Sequence, residues 1–233
     1  MRISKTLLAL GVATALLAGC KKQDDQVTAE PAATAPEASA TEAETPAPAS
    51  EAPAAEAPSA APTAAEFDIN SIAVSEVALP EWPYIALPAG YHYYYSKDLA
   101  SRSKDLARVP VWTGGQLLWV EGKTFSDSIR SDDGKTYSKF EVRKNLQQAI
   151  EALGGVRLTE RSFDRAVWDA NKKDLEDFRQ EFDRMQSAYW YDSDADTYVI
   201  RRADKAIWIV TRTDNGSGAL MVAEGPLPAP PAK

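Results

Sequence analysis

Thr197-Tyr-Val-Ile-Arg-Arg-Ala-Asp-Lys-Ala-Ile-Trp-Ile-Val-Thr-Arg-Thr-Asp-Asn-Gly-Ser-Gly-Ala-Leu-Met-Val-Ala-Glu224 decides the fold. Its β-branched and aromatic runs predict strands over Thr197–Arg202, Ala206–Thr213 and Ala219–Glu224. Ala203-Asp-Lys205 and Asp214-Asn-Gly-Ser-Gly218 are short and rich in turn formers, so the three strands should form an antiparallel meander.

Moving toward the N-terminus, residues 164–187 form a helical region. Leu175, Phe178, Phe182, Met185 and Tyr189 recur at spacings of three and four among charges, an apolar stripe suited to packing on the domain's own sheet or, less simply, on a partner helix. The clearest local signal is Ser138-Lys-Phe-Glu141, a capping box in which Ser138 accepts from the Glu141 amide and Glu141 reaches back. Tyr137 and Val142 occupy the staple positions. Val142, Leu146, Ile150 and Leu153 continue one face until Gly154-Gly155 stops the helix. Strands should flank this helix: Leu117–Arg130, with Gly122 a candidate bulge, and Val156–Glu160. Ser131-Asp-Asp-Gly134 is the turn between the first of them and the helix.

Gly90-Tyr-His-Tyr-Tyr-Tyr95 predicts an aromatic strand, and Phe67–Pro88, broken by Pro80, Pro83 and Pro88, an irregular wrapping segment. The expected fold is therefore α+β: a mostly antiparallel sheet with two main helical regions, 138–153 and 164–187, in a single domain over 66–227, followed by a loose tail at 228–233.

Before residue 66 the composition changes. Gln23–Ala65 is Ala, Pro, Glu, Thr and Ser with eight acids and no base, a composition that cannot bury enough apolar surface to order itself. Such a 43-residue linker would span about 35 to 40 Å as a coil and about 130 Å fully extended. The whole chain has 26 bases and 34 acids, a net of −8. Removing those eight acids and the four bases Arg2, Lys5, Lys21 and Lys22 leaves 22 bases against 26 acids, so the folded part is mildly acidic. That argues against nucleic acid as a partner.

Residues 1–19 carry Arg2 and Lys5, an apolar run and then small residues, a secretory signal too short to span a bilayer. Leu16-Leu-Ala-Gly-Cys20 resembles the lipobox of bacterial lipoproteins, which implies acyl chains on Cys20 as the new N-terminus. Two or more chains hold a protein stably to a membrane. Lys21 after the cysteine implies, by the same resemblance, the outer membrane facing the periplasm. Cys20 is the only cysteine, so no disulfide is expected.

Candidate chemistry is sparse. The lone His92 excludes a multi-histidine metal site. Asp192-Ser-Asp194-Ala-Asp196 has the alternation of a calcium loop but has Thr197 where glycine is needed and Ala203 where a bidentate Glu belongs, so turn and capping duty is the simpler assignment. There is no phosphate loop, cysteine nucleophile or Gly-x-Ser-x-Gly elbow. No cofactor and no enzymatic activity are expected. Tyr91, Tyr93 and Tyr95 could stack on sugar rings or could form a half-buried edge strand. Arg201 and Arg202 could hold a carboxylate or phosphate, or could be strand residues on opposite faces, one of them paired with Asp204.

Phe67-Asp-Ile-Asn-Ser-Ile72, Leu79–Gly90, Trp119-Val-Glu-Gly-Lys123, the Glu141 helix and Tyr198–Trp208 resemble the N-terminal module of bacterial OmpA-family outer-membrane lipoproteins. In that family a C-terminal domain usually grips peptidoglycan through an Asp and an Arg. The chain reaches Lys233 without such a domain, so the resemblance transfers location and architecture but no catalytic or ligand residue. It implies an envelope lipoprotein acting through an envelope-protein or cell-wall partner.

Overall fold

The computed structural model describes residues 66–230. The stretches read above as a signal sequence and a linker, and Cys20 between them, lie outside the described residues. Seven strands form one antiparallel sheet: β1 (Tyr91–Tyr93), β2 (Ser103–Trp112), β3 (Leu117–Ser131), β4 (Val156–Arg161), β5 (Asp194–Arg201), β6 (Lys205–Thr213) and β7 (Gly218–Pro226). The spatial order is β1-β3-β7-β6-β5-β4. β2 pairs with residues 117–125 of β3 and β1 with 129–131, both on the edge opposite β7, so β1 and β2 lie end to end.

The meander β5-β6-β7 forms the middle of the sheet, and it is buried on both faces. Val199, Ala206, Trp208, Val210, Met221 and Ala223 enter one apolar cluster, while their neighbours Tyr198, Ile200, Ile207, Ile209, Leu220 and Val222 enter the other. The period-two alternation of a strand divides each unbroken apolar run between two cores. Antiparallel sheets commonly leave one face to water, and this one does not.

Helix α1 (Lys139–Ala152) covers the second cluster through Val142, Leu146 and Ile150, all at most 1 % exposed, each contributing about 1.5 to 3 kcal/mol by burial. Ser138 Oγ accepts from the Glu141 amide at 3.3 Å as expected. The return half of the capping box differs. The Ser138 amide donates to the Tyr91 hydroxyl (3.1 Å), which donates to Glu141 Oε2 (2.8 Å), so a tyrosine from β1 relays a contact that Glu141 does not make directly. Gly154, at φ +83°, takes the left-handed position that ends the helix.

The other face is covered by α2 (Arg165–Ala170), α3 (Lys172–Glu181) and a 3-10 turn at Asp183–Met185. The helical region is broken at Asn171, whose side chain donates back to the Val167 carbonyl (2.9 Å) and so competes with helix continuation. The stripe lies wholly beyond the break: Leu175, Phe178, Phe182, Met185 and Tyr189 are each at most 3 % exposed and pack on this chain's own sheet.

Strand β2 is an element that the sequence reading passed over. Its polar first half, Ser103-Lys-Asp-Leu106, conceals the alternation. The register shift lies on β2, between Lys104 and Ala107, and not at Gly122. Gly122 instead allows a close crossing, because a Cβ there would land on the carbonyl oxygen of Glu224.

Residues 66–88 wrap from one face to the other. Phe67, Ile69 and Ile72 join the first cluster, and Leu79, Trp82, Tyr84, Ile85 and Leu87 the second. Between them the segment passes the end of β5, where Val74 makes a parallel bridge to Arg201. No helix among the described residues is long and apolar enough to cross a membrane.

Candidate functional site

The residues singled out in sequence divide among three places. Tyr91 and Tyr93 project to the α1 side of β1 and are each 7 % exposed. With Pro80, Pro83, Tyr84, Ile85 and Leu87 they line a cavity of about 400 Å³ under the wrapping segment. Its hydroxyls are already engaged: Tyr93 donates to the Ile85 carbonyl (2.9 Å), Tyr84 to Glu224 (2.7 Å) and Tyr91 to Glu141. Burial pushes the Tyr93 and Tyr84 phenols well above the ordinary tyrosine range, with Asp127 adding to the first and Glu224 to the second. The cavity is an apolar space with few free polar groups.

Tyr95 is elsewhere. It lies beyond β1, takes Arg184 Nη2 on its hydroxyl (3.3 Å) and carries the Arg102 guanidinium over its ring. Arg201 and Arg202 sit in a third place, and neither pairs with Asp204. Arg201 donates to the carbonyls of Asn70 and Ile72 and to Asn70 Oδ1, while Arg202 donates to the Val77 carbonyl (2.7 Å). Both are clamps on the wrapping segment, since a guanidinium fork suits clustered carbonyl oxygens. The structure therefore does not gather Tyr91, Tyr93, Tyr95, Arg201 and Arg202 into one pocket.

The aspartate run also differs from a turn motif. Asp196 is 4 % exposed and accepts both Nε (2.8 Å) and Nη2 (2.7 Å) of Arg143. The hydrogen bonds from this carboxylate hold the Arg143 guanidinium above its ordinary range despite desolvation. This bidentate pair ties α1 to β5. His92 makes an exposed contact with Asp132 at 2.7 Å. Among the described residues no group of three His, Cys, Asp or Glu side chains is placed to hold a metal ion.

The most site-like feature lies at the open end of α3. A groove of about 450 Å³ is lined by Arg179, Ser187, Trp190, Tyr191, Asp192, Ser193, Asp194 and Arg212. Its aromatic lining, Trp190 and Tyr191, is backed by buried Trp168, 4.8 Å from Trp190 and 6.5 Å from Tyr191, centroid to centroid. The Arg179 guanidinium stands over Trp190 at 4.8 Å and over Trp168 at 5.4 Å, anchored by its Nε donating to the Gln186 carbonyl (2.9 Å). Burial pulls the Arg179 guanidinium below its ordinary range, with Glu176 opposing weakly.

The loop forming the wall is fixed. The Asp192 amide donates to the Phe163 carbonyl (2.9 Å), the Ser193 amide to Ser162 Oγ (2.8 Å), and Ser162 Oγ to the Trp190 carbonyl. These bonds hold Asp192 at φ +54°, a left-handed conformation that Asp tolerates better than most residues. Arg212 completes the wall, its Nε on Ser193 Oγ (3.3 Å) and its Nη1 on Asp214. The sequence signal for this site was Tyr189-Trp-Tyr191 running into Asp192-Ser-Asp194. That run alone does not specify the site, because Trp168, Arg179 and Arg212 come from three other elements.

No protein-family model matches the chain, and no curated protein matches it.

Proposed function

We propose that this chain is a non-enzymatic lipoprotein of the bacterial outer membrane, held by lipid on Cys20 and facing the periplasm, whose α+β domain works by contact with an envelope protein or the cell wall. The observation that carries the reading is Leu16-Leu-Ala-Gly-Cys20, preceded by a short charged and apolar leader and followed, after Lys21 and Lys22, by 43 residues rich in Ala, Pro and Glu. A lipid at Cys20 and a linker of that composition place a domain at a distance from a bilayer without pressing it on the surface.

The disposition of titratable groups in the domain supports binding over catalysis. Asp196, Glu141 and Glu224 are each engaged with a cation, and His92 faces solvent beside Asp132. The groups that burial shifts furthest are structural tyrosines, not a facing acid and base. The resemblance to the N-terminal module of OmpA-family lipoproteins supports the same placement.

Cells expressing the chain and fed an alkyne fatty acid should yield labelled wild-type protein and unlabelled Cys20→Ser protein. An unlabelled wild type, or equal labelling of the two, overturns the anchor.

A further inference from the structure

A pyranose ring offers a binding site two things at once: a flat face of C–H bonds, which packs on an aromatic ring, and a rim of hydroxyls, each of which both donates and accepts. A site for it needs an exposed aromatic surface bordered by interleaved donors and acceptors, with no strong excess of either charge.

The groove at the end of α3 has this composition. Trp190 is 42 % exposed, although Trp168, Tyr191 and Arg179 pack around it. Arg179 has no carboxylate partner among the described residues, and its one hydrogen bond there uses Nε, so both Nη groups keep their donors. Across the groove, Asp192 supplies acceptors, and so does Asp194, whose Oδ2 also takes Lys139 Nζ at 3.5 Å. The charges balance: Arg179 and Arg212 meet the lining carboxylates Asp192 and Asp194, and just outside the groove Asp214 pairs with Arg212 and Lys139 with Asp194. That balance disfavours a phosphate or carboxylate ligand, which would need a net positive site. The wall is pre-organised by its bonds to Ser162 and Phe163, so ordering it on binding costs little.

We propose that this groove is a saccharide-binding site, with Trp190 as the stacking platform, Arg179 as the principal donor and Asp192 and Asp194 as acceptors. It rests on the reading of the domain as a binding module and gives the contact a chemical class. It does not depend on the lipid anchor.

The test uses the full chain in detergent, with the β-1,4-linked N-acetylglucosamine tetramer, cellotetraose and maltotetraose as probes and inorganic phosphate as the anionic arm. Saturation-transfer NMR should show magnetisation passing from the protein to at least one tetramer, with titration calorimetry giving its affinity. Trp190→Ala should weaken that binding by about tenfold or more. Arg179→Gln, which leaves the aromatic lining in place, should also weaken it. Tyr94→Ala, an exposed ring outside the groove, should leave it unchanged. Circular dichroism checks that each variant is folded, and Arg179→Gln carries the test if Trp190→Ala is not. Transfer to none of the tetramers, binding indifferent to both groove variants, or saturable phosphate binding in place of sugar overturns the proposal. Sugar binding without fatty-acid labelling overturns only the anchor, and labelling without sugar binding overturns only the groove.

Discussion

At the scale of single residues, two neighbouring tyrosines show how placement sets the value of a hydroxyl. Tyr91 and Tyr137 meet edge to face with centroids 5.6 Å apart. The Tyr91 hydroxyl accepts from the Ser138 amide and donates to Glu141, completing the start of α1. The Tyr137 hydroxyl is buried with no partner among the described residues, and burial drives its pKa well above the ordinary range. An engaged hydroxyl contributes about 1 kcal/mol, whereas a buried unpaired one costs a comparable amount. The same substitution should therefore act with opposite signs. Tyr91→Phe should destabilise by about 1 to 2 kcal/mol, and Tyr137→Phe should be neutral or stabilise by up to about 1 kcal/mol. Urea unfolding of the two variants measures both, and destabilisation of equal size in each would contradict this account.

At the scale of elements, β3 and β7 approach closely where two glycines interlock. A Cβ on Gly122 would strike the Glu224 carbonyl, and one on Gly225 would sit 2.7 Å from the Glu121 oxygen. The obstacle at both positions is backbone, which cannot rotate aside, so Gly122→Ala should cost about 3 kcal/mol or prevent folding. Its test is the denaturant midpoint beside that of Gly134→Ala. Nothing lies within 4 Å of a Cβ at Gly134, and only its φ of +81° opposes the change, so the smaller loss is expected there. Elements with a local signature were legible in the sequence. The meander showed in its turns, α1 in its Ser138 cap and Gly154 stop, and the α3 stripe in its spacing. Features made by pairing across the chain were not: the polar half of β2, the Tyr91 relay and the Gly122 crossing depend on partners 20 to 103 residues away. The groove belongs to this second kind. Its platform was visible as Trp190-Tyr191, but its walls were not.

At the scale of the whole molecule, the wrapping segment joins the two cores that the sheet separates, packing its apolar side chains into both and adding hydrogen bonds at defined points. Arg201 and Arg202 clamp its middle, Ser75 Oγ donates to the Leu153 carbonyl (2.7 Å), and Tyr84 donates to Glu224. Only the last of these fastenings accepts on a group that titrates in mild acid. Burial alone would raise the Glu224 pKa, but hydrogen bonds from Lys205 and Tyr84 and the nearby charges of Lys205 and Lys123 outweigh it and hold the carboxyl below its ordinary range. A depressed folded-state pKa means that the unfolded chain binds the proton first as pH falls. The stabilisation is full above the unfolded-state value, declines as pH drops through the window between the two values, and is gone below the folded-state value. Glu224→Gln removes the titration while keeping an acceptor for Tyr84. Near neutral pH the variant should be the less stable of the two, because Lys205 loses its ionic partner. As pH falls through the carboxylate range the wild type should lose the larger share of its stability, and the two unfolding curves should converge. Urea midpoints measured in parallel from neutral to acid pH decide the matter, and a gap that stays constant across that range would show that Glu224 is not the acid-sensitive fastening of the segment.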